Sequence, residues 1–232
     1  MNDGMTPPRN VVEGAGESAD AAFLAAARKP SDMVMSVVIH AAFIISGISA
    51  LLYQLIWQRS LLMLYGSNTE SVAMVVAAFM IGLGLGSIAG GEVSKRPGAP
   101  LILLFSATEL LIGAYGTISL RLFQWVGTYT LYAGTIEMGL LAFALVFVPT
   151  LLMGATLPML VAYRVNTTGY VGHSVSWLYF VNTLGGGIGA FLAGFVLLHR
   201  IGLKNSIQVA VILNLFCAIS VLMIWKLRKK RQ

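Results

Sequence analysis

Charged residues and cysteine are both scarce in this sequence. Only 10% of the 232 residues are charged, and Cys217 is the single cysteine. One cysteine excludes an intrachain disulfide, and its position in the last apolar block predicts a packing role. Basic residues outnumber acidic ones by 15 to 9, but they lie between and beyond the apolar blocks without an aromatic platform. We therefore expect no nucleic-acid partner.

Motifs for catalysis and for cofactors are missing as well. The Gly-Leu-Gly-Leu-Gly string at 82–86 lies in an apolar block, without the preceding strand and the aqueous pocket that a dinucleotide loop needs. His173 and His199 have no metal-ligating neighbours, so we expect no metal site. The sequence predicts a protein that is not an enzyme and that uses no cofactor.

Long apolar blocks make up most of the chain. Hydrophobic residues account for 57% of the sequence and the mean hydropathy is +0.83, values far outside those of water-soluble domains. A helix needs about 20 residues to cross a hydrocarbon core of about 30 Å. The blocks predict six transmembrane helices, at 34–57, 71–91, 100–121, 137–162, 174–198 and 203–225.

Polar segments flank the spans, and basic residues set their orientation. Residues 1–33 predict a disordered tail and residues 226–232 a basic tail. With the N-terminus inside, eleven basic residues fall on the cytoplasmic side and four on the other, which follows the positive-inside rule. We expect both termini in the cytoplasm. Aromatic residues near the span ends are expected at the headgroup level, three of them in a loop after the third span: Trp57, Trp125, Tyr129, Tyr132 and Trp225.

The second half of the sequence resembles the first after a shift of 103 residues. The shift pairs the first three spans with the last three, and it pairs glycines of the second and fifth spans: Gly82, Gly84, Gly86 and Gly91 with Gly185, Gly187, Gly189 and Gly194. Halves of three spans each must cross the membrane in opposite directions, as in inverted-repeat transporters. We predict an all-α membrane protein with a 3+3 inverted repeat, equivalent to half of a major-facilitator-like bundle.

Small residues also recur every fourth position in these two spans. The sets are Gly82, Gly86 and Gly90 in the second span and Gly186, Ala190 and Gly194 in the fifth. Residues with this spacing lie on one helix face and let another backbone approach closely. We expect both sets to be helix-packing seams.

Two prolines interrupt the fourth predicted span. Pro149 and Pro158 flank Gly154, and each proline removes a backbone donor and clashes with the preceding turn. They predict a kinked or locally unwound helix. Such a break is either a gating element or a passive feature that neighbouring helices tolerate.

Glu109 is the acidic residue that lies deepest in a predicted span, roughly 13 Å from its inner end. A charge at mid-helix costs about 2.5–3.5 kcal/mol, so we expect Glu109 to face the bundle interior and either carry a proton or pair with a cation. Asn182 lies at a similar depth in the fifth span, and His40 is somewhat shallower in the first. These side chains either line a site for an organic cation or proton, or hydrogen-bond to one another and lock the bundle.

Five strings in the chain are distinctive: SALLYQLIWQR at 49–59, the glycine-rich 79–91, ELLIG from Glu109, PTLLMGATLP at 149–158 and YFVNTLGGGIGA at 179–190. Together, over residues 36–225, they resemble the membrane domain of the bacterial fused major-facilitator-like/spermidine synthase family. In that family a soluble synthase-like domain commonly follows. Here the chain stops at Gln232, where that domain would begin, so we expect no synthase activity. The family commonly has an acidic residue after the tyrosine, where this chain has Gln54.

The resemblance implies a bacterial cytoplasmic membrane and a role connected with polyamines. The leading hypothesis is a transport-type protein for a polyamine-like or other small organic cation. Glu109 would be the counter-charge, Asn182, Tyr53, Gln54 and His40 the binding groups, and the proline-containing fourth span the moving part. The alternative is a non-transporting scaffold that recruits a separate soluble synthase-like enzyme or another membrane complex. Since six spans are half of a facilitator, a homodimer is a further expectation beside the lipid bilayer as partner.

Overall fold

The computed structural model describes residues 30–65, 69–130 and 134–230, and it is helical apart from short turns. The long helices are α1 (Pro30–Tyr65), α2 (Thr69–Ser94), α3 (Leu101–Tyr129), α4 (Thr135–Thr168), α5 (Val171–Phe191) and α6 (Gly202–Lys230). A π-helical segment, Leu192–Leu197, and a short helix, Leu198–Arg200, follow α5. The described residues from Val38 onward form one compact unit.

Six helices in the described ranges are long and apolar enough to cross a membrane. They are Met33–Leu64, Val72–Ser94, Leu101–Tyr129, Ile136–Thr168, Val171–Arg200 and Gly202–Lys230. The predicted number of spans and the all-α class are therefore confirmed for this part of the chain. The protein is a multi-pass membrane protein, and its many exposed apolar side chains suit lipid as their solvent.

The helices extend beyond most of the predicted spans. Because α3 continues to Tyr129, the predicted loop around Trp125 and Tyr129 is wrong, whereas Tyr132 lies outside the described residues. Similarly, α1 begins at Pro30 inside the predicted tail, and α6 includes residues 226–230 of the predicted basic tail. Residues 1–29 of the first tail lie outside the described ranges. Hydropathy marks the apolar part of a helix. The helix itself ends where its last backbone N–H and C=O groups form hydrogen bonds outside the helix, which hydropathy does not indicate.

Glycines in the left-handed region make two of the turns short. Gly169 (φ +75°) ends α4, and its N–H donates to the carbonyl of Val165 at 2.8 Å. Gly202 (φ +73°) lies between the short helix Leu198–Arg200 and the rest of α6. Glycine reaches this conformation without a steric penalty, so the chain reverses direction within a few residues.

Helix α4 is α-helical through both prolines, so the predicted local unwinding is not observed. Pro149 cannot donate to the carbonyl of Leu145, four residues earlier. The hydroxyl of Tyr115 on α3 donates to that carbonyl instead. A neighbouring helix therefore supplies the hydrogen bond that Pro149 removes, as is common in membrane bundles. The helix irregularity that does occur is the π-helical segment after α5, which the sequence did not indicate.

Glycines bring α2 into backbone contact with α4. A Cβ added to any of three α2 glycines would overlap an α4 atom: at Gly82 it would lie 1.9 Å from Thr150 Oγ1, at Gly86 2.0 Å from the Leu151 carbonyl oxygen, and at Gly90 2.6 Å from the Ala155 carbonyl oxygen. A Cβ at Gly154 of α4 would lie 2.3 Å from the carbonyl oxygen of Leu83, so Gly154 is itself a packing residue. The contacts advance together along both helices, which therefore run parallel.

A second seam joins α1 and α5 through Gly47, Gly185 and Gly189. A Cβ at Gly185 would lie 2.2 Å from the carbonyl oxygen of Ile44, and one at Gly189 would lie 2.4 Å from that of Ile48. Gly186 faces only the side chain of Leu51, at 3.1 Å. Gly194 lies in the π-helical segment, and a Cβ there would meet no atom within 4 Å. The predicted packing role of Gly194 is therefore wrong, because the face of α5 that meets α1 carries Gly185 and Gly189.

Trp57 lies inside the bundle, so its predicted headgroup position is wrong. Its side chain is fully buried and stacks on Tyr53 at a centroid distance of 4.9 Å. The indole Nε1 donates to Ser119 Oγ of α3 at 3.0 Å. Because α1 continues for two more turns, Trp57 is not at a helix end. Trp125 and Tyr129, in contrast, are exposed.

The Trp57–Ser119 hydrogen bond predicts a measurable coupling between α1 and α3. We expect Trp57→Phe and Ser119→Ala to be coupled by about 0.5–1.7 kcal/mol in a double-mutant cycle, the range for hydrogen bonds between membrane helices. Unfolding midpoints of the detergent-solubilised protein measure this coupling. Thr128→Ala on the exposed end of α3, where the hydroxyl bonds only to Trp125 of its own helix, is the control and should show no coupling to Trp57→Phe. Additive single effects at Trp57 and Ser119 would contradict the assignment.

Candidate site around Glu109

Glu109 of α3 is fully buried between α1 and α6. Ser46 Oγ of α1 donates to its Oε1 at 2.6 Å, whereas its Oε2 has no hydrogen-bond partner. Buried apolar side chains one turn away on the same face, Phe105 and Ile112, hold this face of α3 inward. The ion pair found among the described residues joins Lys95 to Glu92 at the end of α2. No described cation pairs with the Glu109 carboxylate.

Asn214 of α6 meets Glu109 from the opposite side. Its Nδ2 donates to the main-chain carbonyl of Glu109 at 3.3 Å, and its Oδ1 has no partner. Gly113, one turn after Glu109, faces Asn214, since a Cβ there would lie at an ordinary contact distance of 3.6 Å from the Cβ of Asn214. The Asn214 amide is thus held by its nitrogen, while its oxygen accepts no hydrogen bond.

Two further unpartnered hydroxyls lie along the same face of α3. They belong to Ser106 and to Tyr53 of α1, whose hydroxyl oxygen would lie 2.6 Å from a Cβ at Gly116. Positions 106, 109, 113 and 116 have the spacing of one helix face. We call Tyr53, Ser106, Glu109 and Asn214 the polar group.

The polar group is costly to the fold. Buried polar atoms are nearly always hydrogen-bonded, and each one left without a partner costs about 1–3 kcal/mol. Four such atoms are spread along this face of α3, from Ser106 to the Tyr53 hydroxyl beside Gly116, over about 15 Å. Two of them, Glu109 Oε2 and Asn214 Oδ1, are acceptors, and the other two are hydroxyls that also accept. The arrangement therefore suits a group that is positively charged and rich in hydrogen-bond donors.

The structure brings together only part of the predicted binding set. Glu109 and Tyr53 belong to the polar group, and Gln54 is half-buried next to Tyr53 on α1. Asn182 lies in the α1–α5 seam, where its carbonyl oxygen would be 2.3 Å from a Cβ at Gly47. His40 is half-buried, nearly two turns before Ser46 on α1. Since Gly47 and Ser46 are about 100° apart on α1, Asn182 lies on a different face of that helix from Glu109.

Sequence reasoning missed Ser46, Ser106 and Asn214. Asn214 carried a usable signal, since it is the strongly polar side chain within the otherwise apolar middle of the sixth span. Ser46 and Ser106 carried almost none, because serine is common in membrane helices as a small packing residue.

Fold and site together define a multi-pass helical membrane protein with a buried carboxyl group held between three helices. Comparison of the chain with protein-family models, with curated proteins and with solved structures finds no match.

Proposed function

We propose that this protein is a transport-type membrane protein that handles a polyamine-like or other small organic cation. One observation carries the proposal: the buried Glu109 carboxyl has a single hydrogen-bond donor and no described cation beside it. A buried charge without a partner is expensive in a bilayer. An alkylammonium group would supply both the positive charge and the N–H donors that the polar group lacks.

We also propose that the two halves form a 3+3 inverted repeat in a major-facilitator-like arrangement. The 103-residue shift maps contacts of the α2–α4 seam onto contacts of the α1–α5 seam: Gly86–Leu151 onto Gly189–Ile48, Gly82–Phe147 onto Gly185–Ile44, and Gly154–Leu83 onto Leu51–Gly186. The shift maps α3 onto α6, and it aligns Gly113 with Phe216, only two residues from Asn214. The contact between Gly113 and Asn214 therefore lies close to the pseudo-two-fold axis that would relate the two halves. Transporters of this type bind their solutes at the repeat interface.

Glu109 and its two hydrogen-bonded neighbours, Ser46 and Asn214, do not follow the repeat, which favours a function of their own. The 103-residue shift aligns Glu109 with Ile212, Asn214 with Leu111 and Ser46 with Pro149. The packing seams are thus shared by both halves, and the unpaired carboxyl belongs to one half only. Residues that served packing alone would be expected to repeat with the seams.

We further propose a bacterial cytoplasmic membrane with both termini in the cytoplasm. The C-terminal ends of α4 and α6 lie together, since Arg228 Nη1 donates to the hydroxyl of Tyr163 at 3.1 Å. Because α2 runs parallel to α4, Lys95 and Arg96 belong to the same end of the bundle. A concentration of basic residues at one end supports the cytoplasmic assignment. The resemblance to the spermidine synthase family's membrane domain supports polyamines as the solute class.

Uptake by proteoliposomes tests the transport proposal. The purified full chain is reconstituted, and accumulation of labelled putrescine and spermidine is compared with empty vesicles and with vesicles containing heat-inactivated protein. We expect saturable uptake that unlabelled diamine competes away, while a neutral diol of the same length does not. Uptake no greater than in empty vesicles, with the protein shown to be folded, would reject the proposal.

A scaffold is the second candidate, and the outer surface of α5 favours it. A groove of about 550 Å³ runs along α5 past Thr183, Gly187 and Phe191. A Cβ at Gly187 would meet no atom within 4 Å, and the same holds for Gly84, its counterpart under the shift. No described residue packs against these glycines, so another helix would fit against them. In a scaffold, Gly187→Leu should abolish function and Glu109→Gln should preserve it.

A further inference from the structure

The polar group points to an exchange of ligands at Glu109. We infer that Glu109 holds one proton while the solute is absent and releases it when the ammonium group of the solute binds. This inference rests on the proposed function and adds a coupling ion to it. It follows from the charge and the hydrogen-bonding capacity of the groups that surround the carboxyl.

The described groups that surround Glu109 offer no positive charge. Helix α1 contributes the hydroxyls of Ser46 and Tyr53, and α6 contributes the Asn214 amide and the thiol of Cys217, which donates to the carbonyl of Ala42 at 3.3 Å. Tyr53 and Cys217 are the titratable members of this set, and both are uncharged in their protonated forms. An ionised Glu109 would therefore remain an isolated negative charge whenever the solute is absent.

A proton on Glu109 corrects both deficits in the empty site. It removes the net charge, and it turns one carboxyl oxygen from an acceptor into a donor. The unpartnered atoms within one turn of Glu109 are Asn214 Oδ1, on the amide that bonds to the Glu109 main chain, and Ser106 Oγ, and both can accept hydrogen bonds. Ser46 already donates a hydrogen bond to Oε1, whereas Oε2 has no donor. Oε2 is therefore the oxygen on which we place the proton.

The exchange balances in atoms and charge. The neutral acid and an incoming R–NH₃⁺ become a carboxylate paired with R–NH₃⁺, and one proton leaves to the water on the side from which the solute entered. The O–H bond of the acid breaks, its electron pair stays on the carboxylate, and no redox step occurs. Glu109 and the ammonium group that replaces its proton are together neutral, as the protonated acid was, so the carboxylate is never buried without compensation. One proton is exchanged for each positive charge that binds at Glu109.

Infrared difference spectroscopy on the reconstituted full chain tests this inference directly. We expect the C=O stretch of a protonated carboxylic acid in the wild-type protein and its loss in Glu109→Gln. Glu92→Gln, which alters the exposed acid paired with Lys95, should keep the band. Saturating putrescine should abolish the band and release about one proton per chain into weakly buffered medium. If Glu109→Gln fails to fold, Glu109→Asp replaces it in the experiment. Because this variant keeps a carboxylic acid, its band should remain but at a shifted frequency.

The outcomes separate this inference from the transport proposal. Absence of a Glu109 band in the folded wild-type protein without amine would overturn the inference. A band that persists under saturating amine, in protein that accumulates labelled amine, would overturn the exchange and leave transport standing. A persistent band in protein that neither binds nor accumulates amine would overturn both.

Discussion

Replacing Gly86 with leucine is expected to separate α2 from α4 and to prevent a stable fold, whereas Gly84→Leu on the same helix is expected to be tolerated. A Cβ at Gly86 would lie 2.0 Å from the Leu151 carbonyl oxygen, and one at Gly84 would meet no atom within 4 Å. A backbone atom cannot rotate away as a side chain does, so the two helices must move apart. We expect a loss of about 3 kcal/mol or more in the free energy of unfolding.

The measurement is the unfolding midpoint and the monodisperse fraction of each variant in detergent. Gly84→Leu is the matched control, because it adds the same side chain to the same helix but on its exposed side. The pair Gly189→Leu and Gly187→Leu repeats the experiment on α5, where Gly189 faces the Ile48 carbonyl and Gly187 is open. Equal stability of Gly86→Leu and Gly84→Leu would contradict the seam.

The six spans were predictable because the bilayer imposes them. A helix that crosses about 30 Å of hydrocarbon needs a continuous apolar block, and such blocks are visible in the sequence without any knowledge of contacts. The ends were not predictable in the same way. Trp57 looked like a residue at a span end, but α1 continues to Tyr65 and buries the ring against α3. Helix ends depend on capping and tertiary contacts, which hydropathy does not record.

Helix orientation about its own axis was only partly predictable. The spacing of Gly82, Gly86 and Gly90 identified the face of α2 that meets α4. In α5 two overlapping glycine sets compete, and the sequence alone did not favour Gly185 and Gly189 over Gly186 and Gly194. The choice depends on α1, whose Gly47 admits the α5 backbone. A packing face is a property of two helices, so one helix alone cannot define it.

The buried position of Glu109 was predictable, but its surroundings were not. The cost of a charge in lipid required it to face inward, which the structure shows. Its contacts come from Ser46, 63 residues earlier, and from Asn214, 105 residues later. Asn182, which has a similar depth, lies in another seam. Depth along a helix can be counted in a sequence, whereas the neighbour across a helix interface depends on the packing of the whole bundle.

Glu109→Gln is expected to abolish uptake without weakening the fold. Glutamine has the same shape, and its Oε1 can still accept the Ser46 hydroxyl. Its amide nitrogen replaces the unpartnered Oε2 with a donor, in surroundings whose unpartnered atoms accept. The free energy of unfolding should therefore be unchanged or higher by up to about 2 kcal/mol. Uptake should fall by about 100-fold or more, since a charged hydrogen bond worth about 3 kcal/mol is lost.

Opposite effects on stability and on uptake distinguish a binding site from a structural contact. Proteoliposome uptake and the unfolding midpoint are measured on the same preparation, with Glu137→Gln on the exposed start of α4 as control. If the carboxyl only locked α1, α3 and α6 together, Glu109→Gln would lower the midpoint, and any loss of uptake would follow from that. If uptake instead stays near the wild-type rate, Glu109 is not the counter-charge. A protein that is no less stable with glutamine at this position, yet loses uptake, retains the acid for function, because stability alone would not require it.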